Sequence, residues 1–289
     1  MTPSPSAPEY VLTLSCRDVR GIVAAVSGFI AAIDGFIIES TQFGDPTTDK
    51  FFLRMHFSAG PATPIHEEVE SQFASEVASA FAMKWDLHDC QRKPRVVIMV
   101  SKFDHCLHDL LYRFRSGWFD IDITAVISNH NDLRALVESY GIAFHCFPMQ
   151  DDKAQQEAKV WSVIEALHTD LVVLARYMQI LSPELSAKLS GRAINIHHSF
   201  LPSFKGARPY HQAHARGVKL IGATAHYVTD DLDEGPIIEQ EVERVDHTLS
   251  PEHLVAVGND IERVVLARAV KYHCEQRVLL NGNKTVVFT

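Results

Sequence analysis

Asp89-Cys90-Gln91-Arg92-Lys93-Pro94-Arg95-Val96-Val97-Ile98-Met99-Val100 is where the chain changes its grammar. The polar half, ending in proline, reads as a linker. The apolar half shows no alternation, as a strand covered on both faces by a parallel sheet's helices requires. Downstream, strand and helix signals alternate: helix near Leu107–Phe114, strand Ile121–Ile127, helix Leu133–Tyr140, strand Ala143–Phe147, helix Asp152–Leu167, strand Leu171–Leu174. Ser182-Pro183-Glu184 opens another helix with a cap residue and a proline in the first turn, and Gly191 follows its end. This alternation predicts an α/β domain with a mostly parallel sheet and helices on both faces. Ligands of such sheets sit beyond the carboxyl ends of the strands. A long helix, Pro251 to Gln276, and a short strand, Val286–Phe288, close the chain.

Upstream of the linker the pattern is different. Tyr10 to Ser15 alternates like a half-buried strand, and Gly21 to Ile33 places Ile22, Val26, Phe29, Ile30 and Ile33 on one helical face. Strands Phe36–Phe43 and Phe51–Phe57 flank the turn signal Gly44-Asp45-Pro46. Ile65, Val69, Phe73, Val77 and Phe81 recur in steps of four as a second helix, and Phe81, Met83, Trp85 and Leu87 alternate as a last strand. The order β-α-β-β-α-β is the ferredoxin-like pattern. Two domains are expected, residues 8–88 and 94–289.

Composition agrees with that division. A chain of 289 residues is long for one compact unit and suits two. With 46% hydrophobic and 22% charged residues, and only 14 Gly and 13 Pro, disordered and collagen-like classes are excluded. A net charge of -9 argues against a nucleic-acid partner. The five cysteines are scattered with no C-x-x-C pair, which fits reduced thiols rather than a disulfide framework or zinc ribbon. The Ser/Pro-rich start is not a secretory signal, and no apolar run reaches the ~20 residues of a membrane span. A cytoplasmic protein is expected.

The chemistry concentrates between Ala193 and Gln240. Asn195 and His197 stand two apart at a strand end, so both side chains point the same way. An amide donor beside an imidazole can stabilise an oxyanion, and the imidazole can exchange a proton. His198, one residue on, is expected to point away, so its loss should matter less. Strand Ile221–Val228 then runs into the acidic loop Thr229-Asp230-Asp231-Leu232-Asp233-Glu234, pinned by Gly235-Pro236. Read on its own, that loop is equally a solvated turn or a cation site. His211-x-x-His214, with His197 and His198 nearby, raises a metal reading, but it lacks the H-E-x-x-H spacing and no Cys lies close, so no metal is expected.

Taken together, Asn195-x-His197, Ser199-x-Leu201-Pro202-Ser203-Phe204-x-Gly206 and Asp233-x-Gly235-Pro236-Ile237-Ile238 resemble the folate-dependent formyltransferase superfamily. Carried over residue by residue, that family's catalytic asparagine, histidine and aspartate fall on Asn195, His197 and Asp233. The segment Leu174 to Pro183, with Met178, Gln179, Ile180 and Leu181, resembles the family's pterin-pocket wall. Asp230, Asp231 and Leu232 resemble its other wall. Cys16-Arg17-Asp18-Val19-Arg20-Gly21-Ile22-Val23 resembles the opening turn of an ACT domain, with Arg17 in place of the usual proline. An ACT-like domain ahead of a Rossmann-like formyltransferase-type domain is similar to the formyltetrahydrofolate deformylases. The segments around Val100–Leu107 and Ile127–His130 are similar too, with Asp104 and His108 as departures.

The resemblance implies hydrolysis of 10-formyltetrahydrofolate to formate and tetrahydrofolate, within one-carbon and purine metabolism. Asn195 and protonated His197 would stabilise the oxyanion, and ionised Asp233 would orient and help deprotonate the water. No cofactor is implied, the folate being the substrate. A homo-oligomer, dimer or tetramer, with an amino-acid effector such as glycine or methionine at the ACT-like domain is also expected. Formyl transfer to an amine acceptor is the alternative, and a non-catalytic sensor a third reading. Ser101-Lys102-Phe103-Asp104-His105 favours hydrolysis over transfer to a nucleotide: it offers no glycine for a backbone phosphate cradle. Asp104 would also repel a phosphate, and Phe103 and His105 would narrow an acceptor channel.

Overall fold

The computed structural model describes residues 7–149, 152–201 and 209–289. Pro202, Ser203, Phe204 and Gly206, part of the motif quoted above, lie outside the described residues. The chain forms two compact units. One runs through Lys93 and also takes Glu275–Asn281 and Val286–Thr289; the other is Pro94–Cys274 with Gly282–Thr285.

The first unit contains β1 (Glu9–Arg17), α1 (Ile22–Ala32), β2 (Phe36–Asp45), β3 (Lys50–Ser58), α2 (His66–Glu76) and β4 (Lys84–Asp89). Its antiparallel sheet has the order β2-β3-β1-β4, the ferredoxin-like arrangement. The period of two sends Leu12 and Leu14 of β1 to the side where Val26 and Ile30 of α1 and Phe73 of α2 close the core. The second helix is shorter than its apolar spacing predicts. It ends at Glu76, and a 3-10 turn over Ala78–Phe81 carries the chain to Ala82, whose φ of 48° turns it into β4. The sheet's other face is not left to water. Buried Arg54 of β3 donates to the Glu275 carbonyl at 3.1 and 3.2 Å and to Glu39 at 2.6 Å. These bonds give Glu275–Asn281 a place in this unit, whereas the sequence reading runs the second domain through Thr289.

The second unit is a seven-stranded sheet. Its elements are β5 (Arg95–Val100), α3 (His105–Arg115), β6 (Asp122–Ser128), α4 (Arg134–Glu138), β7 (Ala143–Cys146), α5 (Lys153–Ala166), β8 (Leu171–Leu174), α6 (Pro183–Lys188), β9 (Ala193–His197), α7 (Pro209–Ala215), β10 (Leu220–Tyr227), β11 (Ile237–Arg244) and α8 (Pro251–Cys274). A hairpin, β12 (Val278–Asn281) and β13 (Lys284–Val287), ends the chain. The sheet order is β11-β10-β9-β8-β5-β6-β7. Strands β7, β6, β5, β8 and β9 are parallel, and β10 and β11 are antiparallel to their neighbours. Val96 to Val100 are all buried, as a central parallel strand demands. Ser182 caps α6, accepting from the Leu185 amide, with Pro183 in its first turn.

The chain builds outward from β5 to β7, then returns to lay β8 on the other side of β5. The carboxyl ends of β5 and β8 therefore diverge, and a crevice opens there. Ser101, at the end of β5, ties its rim together. Its amide donates to the Arg176 carbonyl at 3.2 Å, and its hydroxyl donates to Asn129 Oδ1 at 2.7 Å and accepts from the Met178 amide at 3.0 Å.

Candidate active site

The site grows from the pairing of β9 with β10. In this register Asn195 lies opposite His226, and His197 opposite Thr224. Directly opposed residues of an antiparallel pair share a face, so Asn195, His197 and His226 meet. Nδ1 of buried His226 donates to the Tyr227 carbonyl at 2.9 Å. That fixes the tautomer and leaves Nε2 to accept from Asn195 Nδ2 at 3.3 Å. The second amide hydrogen of Asn195 stays available.

Asp233 reaches the same point from the loop between β10 and β11. The loop is closed at its base by the Tyr227 amide, which donates to the Pro236 carbonyl at 2.9 Å. Gly235 is needed there, because a Cβ would lie 1.7 Å from the Tyr227 oxygen. Asp233 itself is left-handed at φ 59°, a conformation aspartate tolerates better than most residues. The turn brings Oδ1 to 3.2 Å from His197 Nδ1 and 3.7 Å from His226 Nε2. Burial pushes the Asp233 carboxyl up, but the hydrogen bond from His197 and the nearby imidazole of His226 outweigh it and hold it well below the usual carboxylate range. His197 Nε2, on the far side of the ring, is buried without a hydrogen-bond partner.

A cavity of about 260 Å3 adjoins these groups. Its wall includes Asn195, His197 and Asp233, and all seven expected substrate contacts: Met178, Gln179, Ile180 and Leu181 on one side, Asp230, Asp231 and Leu232 on the other. Met178, Ile180 and Leu232 are half or more exposed, an apolar lip that a flat hydrophobic ring would cover. An anionic base with an apolar mouth and unused donors suits a neutral, partly aromatic ligand carrying a carbonyl.

Residues 94–270 match the sequence model of the formyl transferase family. A formyltetrahydrofolate deformylase from Corynebacterium sp. (strain P-1) is 53% identical over 96% of this chain and 97% of its own length. The formyltetrahydrofolate deformylase of Bacillus subtilis is 50% identical over 96% and 93%. The crystal structure of formyltetrahydrofolate deformylase from Burkholderia mallei superposes with a TM-score of 0.93 at 54% identity, covering 98% of this chain and 100% of that one. The chain belongs to the formyltetrahydrofolate deformylase family.

Three features of this deformylase-family site escape the sequence reading. The first is His226, read there only as part of a strand. The second is the clasp on the segment after β9. Fully buried Thr224 donates to the Ser199 carbonyl at 3.0 Å and accepts from the Leu201 amide at 3.1 Å, while Gln240 Nε2 donates to Thr224 and to the Leu201 carbonyl at 2.9 and 3.1 Å. The third is the position of His198. It lies beyond the end of β9, where strand alternation no longer applies, and lines the same cavity as His197. The expectation that it points away is corrected accordingly.

Behind His198 lies a buried polar group. Glu262 of α8, fully buried, accepts from Tyr210 at 2.8 Å and from His105 Nε2 at 3.0 Å, and stands 3.5 Å from Arg176 Nη1. Burial raises its carboxyl, but hydrogen bonding from His105 and the Arg176 charge outweigh this and leave it lowered. Gly258 makes room for the arrangement, since a Cβ there would lie 2.1 Å from the Tyr210 ring. His105 is thus turned toward Glu262, and Phe103 stacks under the Arg176 guanidinium at 5.1 Å. Asp104 makes no capping bond to α3 and instead pairs with His108 at 3.3 Å. Among the described residues, the donor atoms of His105, Cys106 and Glu262 lie within 4.8 Å of one another. Glu262 is already committed to its three partners, and burial pushes the Cys106 thiol well above its ordinary value.

Proposed function

We propose that this protein hydrolyses 10-formyltetrahydrofolate to formate and tetrahydrofolate, with water attacking the formyl carbonyl at Asn195, His197 and Asp233. The observation that carries this reading is the contact between His197 Nδ1 and Asp233 Oδ1 at the floor of the cavity. A carboxylate on Nδ1 favours the imidazolium and fixes the ring, so Nε2 presents a proton to the reacting centre. Asn195 Nδ2, anchored by His226, supplies a second donor to the same oxygen. Two preset donors aimed at developing negative charge are the main means of lowering such a barrier. After addition, N10 leaves with the proton from His197. Asp233 keeps the imidazole charged and orients the water.

Met178 to Leu181 and Asp230 to Leu232 hold the pterin between them in this reading, so the folate is the only organic partner the chemistry needs and no further cofactor enters a step. The test is direct: purified protein is incubated with 10-formyltetrahydrofolate without any amine acceptor, and formate is measured. Formate and tetrahydrofolate in equal amounts are expected. Formylated amine appearing only when an acceptor such as glycinamide ribonucleotide is added would favour the transferase alternative.

The first unit serves assembly and regulation in the same proposal. Its edge strand β2 exposes Phe36, Ile38 and Phe43. A long, apolar, unpaired edge is a pairing surface, which supports a homo-oligomer whose rate responds to a small amino acid such as glycine or methionine. No helix among the described residues is long and apolar enough to cross a membrane. Five scattered cysteines with no C-x-x-C pair support a reducing, cytoplasmic setting.

A further inference from the structure

His198 has no task in the chemistry above, yet it faces the cavity. Its ring centroid is 5.2 Å from that of His197 and 6.4 Å from that of Tyr210. Its ring nitrogens make no hydrogen bond among the described residues. The charged groups around it are Arg176, Glu262, His197 and Asp233. Of these, Arg176 is held in place from behind by Glu262 and from the side by the Phe103 ring. Arg176 occupies a left-handed backbone position, φ 63°, which is unfavourable for a residue with a Cβ. A buried cation is therefore kept beside His198 at some expense of stability.

The two adjacent imidazoles have different surroundings. His197 has the Asp233 carboxylate 3.2 Å from its Nδ1. His198 has burial and then the Arg176 guanidinium against it, which together lower its pKa to about 4 and leave the ring neutral, with a lone pair free. A neutral imidazole in the cavity wall next to His197 is placed to take up a proton. Asp233 is less suited to the role of base, because its Oδ1 is already engaged by His197 Nδ1 at 3.2 Å.

We propose that His198 is the general base of the hydrolysis, taking a proton from the attacking water. The proposal rests on the deformylase reading. As the water oxygen bonds to the formyl carbon, one water proton passes to the free ring nitrogen of His198. The carbonyl π pair moves onto oxygen, held by Asn195 and His197. The C–N10 bond then breaks with its electron pair on N10, which takes the proton of His197. The formic acid so formed returns a proton to His197, and His198 releases its own to solvent. One water is consumed and one net proton is liberated with formate and tetrahydrofolate.

The experiment measures formate release by wild type, His198→Gln and His198→Ala, with far-UV circular dichroism on each. Loss of a positioned base should lower kcat about 100-fold or more in both variants with KM within about threefold, and added imidazole should restore part of the His198→Ala rate in proportion to its free-base concentration. The restored rate is a signature that a merely structural side chain would not give. Either variant staying within about fivefold of wild type, or a natively folded His198→Ala that imidazole does not rescue, would overturn the assignment. Wild-type protein that releases no formate would instead overturn the deformylase reading.

Discussion

At Asp233 a single carboxylate oxygen serves two imidazoles, and the balance of forces on it sets how the site responds to pH. Burial alone would raise its pKa; the hydrogen bond from His197 and the neighbouring imidazole of His226 reverse the shift. A carboxyl depressed in the folded state contributes stability that is fully present above its unfolded value, near 3.9, and is lost as pH falls through the folded value. Asp233 should therefore stay ionised from about pH 5 to 9 and add no limb to the activity profile there. Asp233→Asn keeps the shape but removes the negative charge 3.2 Å from His197 Nδ1. We expect kcat for formate release to fall about 10²- to 10⁴-fold while folate binding persists. Near-wild-type turnover would dismiss the residue as a turn former. His226 acts one step back, through Asn195, so its effect should not add to that of its partner. With His226→Leu, Asn195→Ala and the double variant compared, the double should be no slower than Asn195→Ala alone, which itself should lose about 10²- to 10³-fold. Additive losses would show that His226 works independently.

The loop between β10 and β11 brings Asp233 to His197, and its geometry depends on one missing side chain. At Gly235 a Cβ would overlap the Tyr227 carbonyl oxygen, which is backbone and cannot swing aside. Gly235→Ala should cost about 3 kcal/mol, lower the melting temperature by roughly 6–12 °C, and displace Asp233 enough to lose most activity. An unchanged melt with full turnover would mean that the loop absorbs the methyl group. The elements that sequence makes legible are those fixed by local physics: the continuous apolar run of β5, and the Ser182 cap with Pro183 behind it. Others were missed for physical reasons. Helix α7 is only seven residues with no sustained apolar period. Of the β12–β13 hairpin the sequence reading takes only the second strand, as Val286–Phe288, although Asn281-Gly282 signals the turn, where Gly282 takes φ 65°. Asn195, His197 and Asp233 were legible through their motif, but His226 enters only by strand register, and Glu262 lies 86 positions from the arginine it pairs with. Long-range pairing leaves no local periodicity to read.

At the scale of the whole molecule, the first unit poses a solubility problem that association would solve. Strand β2 spans ten residues at the edge of its sheet, and Phe36 is 71% exposed with Ile38 and Phe43 close to half. Monomeric proteins usually blunt such an edge with charge, proline or a bulge. Here one irregularity interrupts the β2–β3 register between Ile37 and Glu39, and the apolar side chains remain outside. Because Phe36 and Ile38 contribute little to the unit's own core, replacing both with lysine should leave its fold intact; exposed substitutions of this kind usually cost within about 0.5 kcal/mol. The lysines should prevent two edges from meeting, since like charges would face one another across the new pairing. The expected result is a drop in mass by light scattering to that of the single chain, an unchanged melting transition, and loss of any rate response to glycine or methionine. Formate release at saturating folate should persist, because the cavity and all its polar groups lie within the second unit. A Phe36→Lys/Ile38→Lys protein of unaltered mass would place the contact between subunits elsewhere and leave the exposed edge of β2 without this explanation.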